Sequence, residues 1–179
     1  MTDEIYFTFE KVLSLHINLN IERVLEVGAT DVGCLLESSV FSESSLRVGL
    51  NQTSYPSNDI CTRVNGNSND MSMFNSGSFD VVLSNATLEH DKFFWKSIGE
   101  MRRVLAVGGF MAIGVPGYIG KNLPFKIVPT YNVHGERLYG DYYRYSEQAC
   151  REVFFDGFSR ISQTVVSCPP IIITSGFKK

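Results

Sequence analysis

No stretch of this chain is long and apolar enough to cross a bilayer as a helix. Its opening, MTDEIYFTFEKVLSLHINLN, begins acidic and lacks the basic segment and apolar core of a secretory leader, so a cytoplasmic protein with no membrane partner is expected. A surplus of positive charge is also missing: 16 Lys and Arg against 19 Asp and Glu leave a net charge of -3. Such a balance disfavours a nucleic-acid partner, which would need many phosphates neutralised, and suits a small-molecule or protein partner better. The four cysteines, Cys34, Cys61, Cys150 and Cys168, stand far apart with no CxxC pair, which supplies neither a zinc signature nor a disulfide framework. His16, His90 and His134 include no close ligand pair, so no metal site is expected. Internal repeats and low-complexity tails are absent.

What is present suits one core. With 179 residues, 44% of them hydrophobic and 20% charged, the chain has enough apolar material for one domain and is short for two. The expected domain spans 1-179, with a helical extension over 1-20 and a core over 23-176. Ile5, Phe9, Val12 and Leu13 recur at helical spacing near the N-terminus. RVLEV (23-27) and Leu46 to Leu50 read as strands, and a glycine turn at 28-33 is expected to enter a helix through Leu36. Between Leu50 and Ile60 there is too little chain for a crossover helix, so one such helix is expected to be reduced. Ser146 is the expected N-cap of a helix to Phe155, and Phe158 to Val166 and Ile171 to Thr174 the closing strands.

The most informative segment is SFDVVLSNATLEHDKFFWKSIGEMRRVLAVGGFMAIGVP, residues 78-116. Val81, Val82 and Leu83 form a continuous apolar run of the kind buried on both faces of a parallel sheet. Phe94, Ile98, Met101 and Leu105 then share one face of a helix that is expected to stop at Gly108 and Gly109. Phe110 to Val115 completes a βαβ unit with both strands in one sheet. Loops after such strands are where open α/β sheets bind ligands.

A second ligand-facing turn is VLEVGATDVG, residues 24-33, where a strand runs into glycines that allow close approach of backbone N–H groups. Gly28 and Gly33 have P-loop spacing, yet Cys34 and Leu35 stand where Lys and Ser or Thr must hold phosphate and magnesium, which excludes nucleotide triphosphate hydrolysis. Thr30 breaks the GxGxxG dinucleotide fingerprint, leaving only fold analogy for a dehydrogenase.

Both segments resemble the core of the class I S-adenosylmethionine-dependent methyltransferases, in the small-molecule, "methyltransferase type 11"-like branch. The shared pattern is sFDvV, a polar loop with LeH, then RVL, GG and a strand ending in Pro; dYYRYs at 141-146 is a further likeness. The resemblance implies an α/β, Rossmann-like, seven-stranded, mostly parallel sheet with helices on both faces. It also implies S-adenosylmethionine as cofactor, with S-adenosylhomocysteine as product and a small-molecule acceptor. Glu26, Gly28, Ala29, Thr30 and Gly33 fall on the first cofactor motif. There Thr30 and Val32 replace two of the family's glycines, and Gly33 comes one residue late. Asn51 stands where an acidic residue holds the ribose, or else simply ends its strand. Asp70 and Met71 fall near the expected adenine contact, and Asn85 on the loop after the fourth strand. Acceptor-side candidates are His90, Tyr118, His134 and Asp141, with Glu89 on the same loop as His90. His90 alternatively orders its loop, and Tyr143, Arg144 and Tyr145 alternatively pack, with Arg144 paired to a carboxylate. Methyl transfer rests on alignment, and a general base is needed only where the acceptor loses a proton. The alternative is a catalytically inactive binding or regulatory protein on the same fold, motivated by Thr30, Val32 and Asn51.

Overall fold

The computed structural model describes residues 1-16, 21-118, 140-166 and 170-179. Seven strands form one sheet: β1 (Arg23–Val27), β2 (Leu46–Asn51), β3 (Thr62–Asn65), β4 (Phe79–Asn85), β5 (Leu105–Pro116), β6 (Phe158–Val166) and β7 (Ile171–Lys178). Their order is β3-β2-β1-β4-β5-β7-β6. The first five strands pair in parallel, and β7 runs antiparallel to both β5 and β6. Strand order reverses between β1 and β4, so the C-terminal ends of these two strands border the crevice in which open α/β sheets take ligands.

The apolar runs serve two cores by strict alternation. Val24, Val81, Leu83, Phe110 and Ala112 face α1 (Asp3–His16), which buries Ile5, Phe9 and Leu13 against them. Leu25, Val82, Met111 and Ile113 face the opposite side, where α2 (Phe94–Val104) buries Ile98, Met101 and Val104. A helical segment beginning with α3 (Glu147–Ala149) continues as a π-turn over Cys150–Phe154 and adds Cys150 and Phe154 to that second core. Ser146 caps α3 as expected, its hydroxyl accepting the Ala149 N–H at 3.0 Å. Helices on both faces explain why β1, β4 and β5 read as continuous rather than alternating apolar runs.

Three sequence expectations change. The helix expected through Leu36 is a single 3-10 turn, Leu35–Glu37. Serine-rich chain follows it, and hydroxyls that bond nearby backbone compete with a helix: Ser38 Oγ accepts from Val40 N and Ser42 Oγ from Ser44 N. Buried Arg47 takes up the loose carbonyls of Leu36, Phe41 and Ser42. No helix forms between β2 and β3 either, so two crossover helices are reduced rather than one. Finally, α2 ends at Val104 and β5 begins at once, leaving Gly108 and Gly109 inside an irregular strand start. Gly109 is needed there, because a Cβ would lie 2.9 Å from the Asp80 carbonyl oxygen.

No helix among the described residues is long and apolar enough to cross a membrane. Nor do the described residues include a group of three or more His, Cys, Asp or Glu that could hold a metal ion.

Candidate functional site

At the C-terminal ends of β1 and β4 the chain makes two tight turns that meet. Gly28 adopts φ +88°, which a side chain would strain, and its N–H reaches the Leu50 carbonyl at 2.8 Å. Above it lies Thr87, so close that a Cβ on Gly28 would sit 1.9 Å from the threonine hydroxyl oxygen. The Thr87 hydroxyl lies 3.0 Å from the Asn85 carbonyl and 3.3 Å from that of Val27, which ties the two strand ends together. Between them Ala86 holds φ +48°, a left-handed conformation uncommon for a residue with a side chain.

Two cavities adjoin at this junction, sharing Gly28, Thr30 and Ala86. The first, about 190 Å³, lies over β2 and is lined by Asn51, Gln52, Ser68, Thr87, His90 and Asp91 among others. The second, about 410 Å³, lies on the α1 side and is lined by Met1, Thr2, Ile5, Glu26, Gly33 and Asn85 among others. Together they form one cleft of two chambers across the ends of β1 and β4.

Most of the residues expected at the cofactor motif border this cleft. Glu26 is buried because strand alternation turns it to the α1 side, and its Oε2 accepts the Leu36 N–H at 3.1 Å. Burial pushes its carboxyl up to about 7, against the opposing pull of backbone N–H groups and the Arg63 cation. Ala29 is buried, and its carbonyl accepts from Asn51 Nδ2 at 3.0 Å. The Thr30 hydroxyl turns back to the Val32 carbonyl at 3.0 Å. Asn51 lines the first cavity while its Oδ1 accepts the Thr53 N–H. Asn85 lines the second cavity, and its Oδ1 is buried with no hydrogen-bond partner among the described residues.

Asp70 and Met71 are not brought to the cleft. Asp70 N–H bonds the Asn67 carbonyl, a turn that directs Ser68 to the cavity and leaves Asp70 exposed. Hydrogen bonds from Ser72 hold the Asp70 carboxyl below its usual range, and the residue lines a separate surface hollow with Glu100 and Arg103. Met71 is fully buried in the α2-side core, and its N–H donates to Glu100.

On the acceptor side, His90 lines the first cavity from the 3-10 turn Leu88–His90. Tyr118 is exposed and lines none of the cavities described, and His134 lies outside the described residues. Both Asp141 oxygens accept from the Arg144 guanidinium. The strip 140-145 is stitched across the turn after β4. His90 Nδ1 bonds the Gly140 carbonyl, Tyr142 N–H the Glu89 carbonyl, Tyr143 hydroxyl the Lys92 carbonyl, and Tyr145 hydroxyl the Leu88 carbonyl.

Sequence reasoning missed Gln52, Ser68, Thr87 and Asp91. Asp91 was findable as a helix-start signal: its Oδ1 accepts the Phe93 N–H just ahead of α2. Its other oxygen joins Ser97 and Asn69 in a network that reaches Ser68. Ser68 and Gln52 carry no local signal of their own.

The family model described as "Methyltransferase domain" matches residues 40–113. No curated protein matches the chain. Among solved structures, the Burkholderia thailandensis 1,6-didemethyltoxoflavin-N1-methyltransferase, with 1,6-didemethyltoxoflavin and S-adenosylhomocysteine bound, is 17% identical with TM-score 0.71, covering 99% of this chain and 80% of that one. A Methanosarcina mazei S-adenosylmethionine-dependent methyltransferase is 16% identical with TM-score 0.65, over 94% of this chain and 98% of that one. The 4+2 cyclase SpnF has the same fold at 12% identity and TM-score 0.68, over 96% of this chain and 80% of that one. The chain thus has the class I S-adenosylmethionine-dependent methyltransferase fold and carries the methyltransferase-domain sequence signature within it.

Proposed function

We propose that this protein binds S-adenosylmethionine in the two-chambered cleft and passes its methyl group to a small-molecule acceptor. The observation that carries this reading is the junction at the C-terminal ends of β1 and β4, where Glu26, Gly28, Thr30, Gly33 and Asn85 line one cavity. Ligands of open α/β sheets sit at this strand-order switch, where the backbone turn at Gly28 allows close approach. The residues fit the group: Glu26 and Asn85 suit a cationic amino-acid end, and Asn51, Gln52 and Ser68 offer polar atoms to a nucleoside end. Bound there, the cofactor would supply an electrophilic methyl on a sulfonium. What the chain supplies is alignment, the largest contribution available to an in-line displacement.

A second reading, a non-catalytic binding protein, draws on Thr30 and Asn51, whose polar groups already bond backbone: Thr30 the Val32 carbonyl, and Asn51 the Ala29 carbonyl and the Thr53 N–H. Isothermal titration with S-adenosylhomocysteine tests the first reading directly: binding at micromolar concentration supports it, and no heat at high micromolar ligand would overturn it. Binding without turnover across amine, phenol and thiol acceptors favours the second.

A further inference from the structure

Around the start of α2, three aromatic rings face outward: Phe93 is 42% exposed, Trp95 53% and Tyr142 53%. Tyr142 belongs to the strip stitched over the turn after β4, and the neighbouring Tyr143 hydroxyl donates to the Lys92 carbonyl, which holds that strip against the segment DKFFWK, residues 91-96. Packing accounts only for Phe94, which turns inward against Tyr145 and Phe154. Large rings grouped at the surface mark a contact site rather than scattered apolar exposure.

Two cations flank the same rings. The Lys92 and Lys96 ammoniums stand 5.7 and 5.2 Å from the centre of the Phe93 ring, within cation–π range. Neither forms an ion pair among the described residues. Nearby carboxylates are already engaged: Asp91 accepts from Asn69, Ser97 and the Phe93 N–H, and Asp141 from Arg144. The lysines do not serve α2 either, because positive charge at a helix start opposes its dipole, and no acidic residue in the first turn offsets it. On a chain of net charge -3 this is a local basic patch with an apolar floor.

We infer that this face docks on an anionic lipid surface. Rings with an apolar body and a polar edge suit the headgroup boundary, and lysine stems lie along them while the ammoniums reach the lipid anions. A second copy of the chain fits less well, since the same patch facing itself across a two-fold axis would bring like charges together. A nucleic acid fits less well too, since two cations neutralise few phosphates. A protein that lies on a membrane needs no spanning helix, so this departs from the sequence expectation of no membrane partner without conflicting with the fold. Asp91, next to Lys92, lines the first chamber, and docking therefore sets the rim of that chamber beside the headgroups.

Trp95 is the only tryptophan of the chain and reports on the patch directly. Its emission is followed as vesicles of phosphatidylcholine, alone or with about one-third phosphatidylserine, are added to the full chain, and bound protein is measured by co-sedimentation. Docking predicts a blue shift with the anionic vesicles only. It also predicts binding about twentyfold weaker in the double variant Lys92→Gln, Lys96→Gln, from about fivefold per lysine. An unmoved emission, an equal shift with phosphatidylcholine alone, or unchanged binding of the double variant would overturn the proposal. So would a blue shift that grows with protein concentration in the absence of lipid, which marks a second copy on this face. Neither readout needs S-adenosylmethionine, so the result stands apart from the methyl-transfer reading.

Discussion

Asn85 makes the sharpest demand at the scale of single residues. Its Oδ1 lies over Gly114, where a Cβ would be 2.5 Å from it, so only glycine leaves room for the amide. Replacing Asn85 with Leu removes a polar amide from the cavity lining and retains the bulk. We expect S-adenosylhomocysteine affinity to fall about tenfold by calorimetry, the weight of one charge-assisted hydrogen bond. Gly28→Val should be more severe and abolish binding, since the new side chain would occupy the place of the Thr87 hydroxyl in a backbone conformation that disfavours it. Retained affinity in Gly28→Val would mean that the ligand sits elsewhere.

Elements differ in how far their residues announce them. β1, β4 and β5 were legible because apolar runs flanked by turns leave little choice, and α2 because its buried stripe repeats cleanly. The reduced crossover after β1 was not, since a glycine turn running into Cys34, Leu35 and Leu36 looks like a helix start. Arg47, five to eleven residues further along the chain, supplies donors to the carbonyls of Leu36, Phe41 and Ser42 that let the segment stay irregular. The candidate site divides the same way: Gly28 and Asn85 follow strands that the apolar runs mark, whereas the turn in which Asp70 N–H bonds the Asn67 carbonyl, which leaves Asp70 away from the cleft, has no such marker. α3 offers an element-scale test: Ser146→Ala deletes the bond to Ala149 N–H and should lower unfolding free energy in urea by about 1 kcal/mol.

Across the whole molecule, two buried carboxyls shape the response to pH. Glu26 and Glu89 both have folded-state values raised to about 7, so the native state holds protons that the unfolded chain has already released. For a raised carboxyl the sign is the reverse of the usual salt-bridged acid: between roughly pH 4.5 and 7 stability falls as pH rises, and above about 7 these two groups contribute no further slope. Glu89→Gln should therefore raise the melting temperature more at pH 8 than at pH 5. The reverse ordering would show that the carboxylate is stabilised in the fold.

One consequence concerns how the protein is handled. Met1 and Thr2 lie on the wall of the chamber that holds Glu26 and Asn85, at the very start of α1. Anything fused ahead of Met1, such as a purification tag, would emerge beside that opening and compete with ligands for it. The other terminus offers a better place, because β7 ends at Lys178, at the end of the strands away from the cleft, where its ammonium donates to the carbonyls of Arg102 and Leu105.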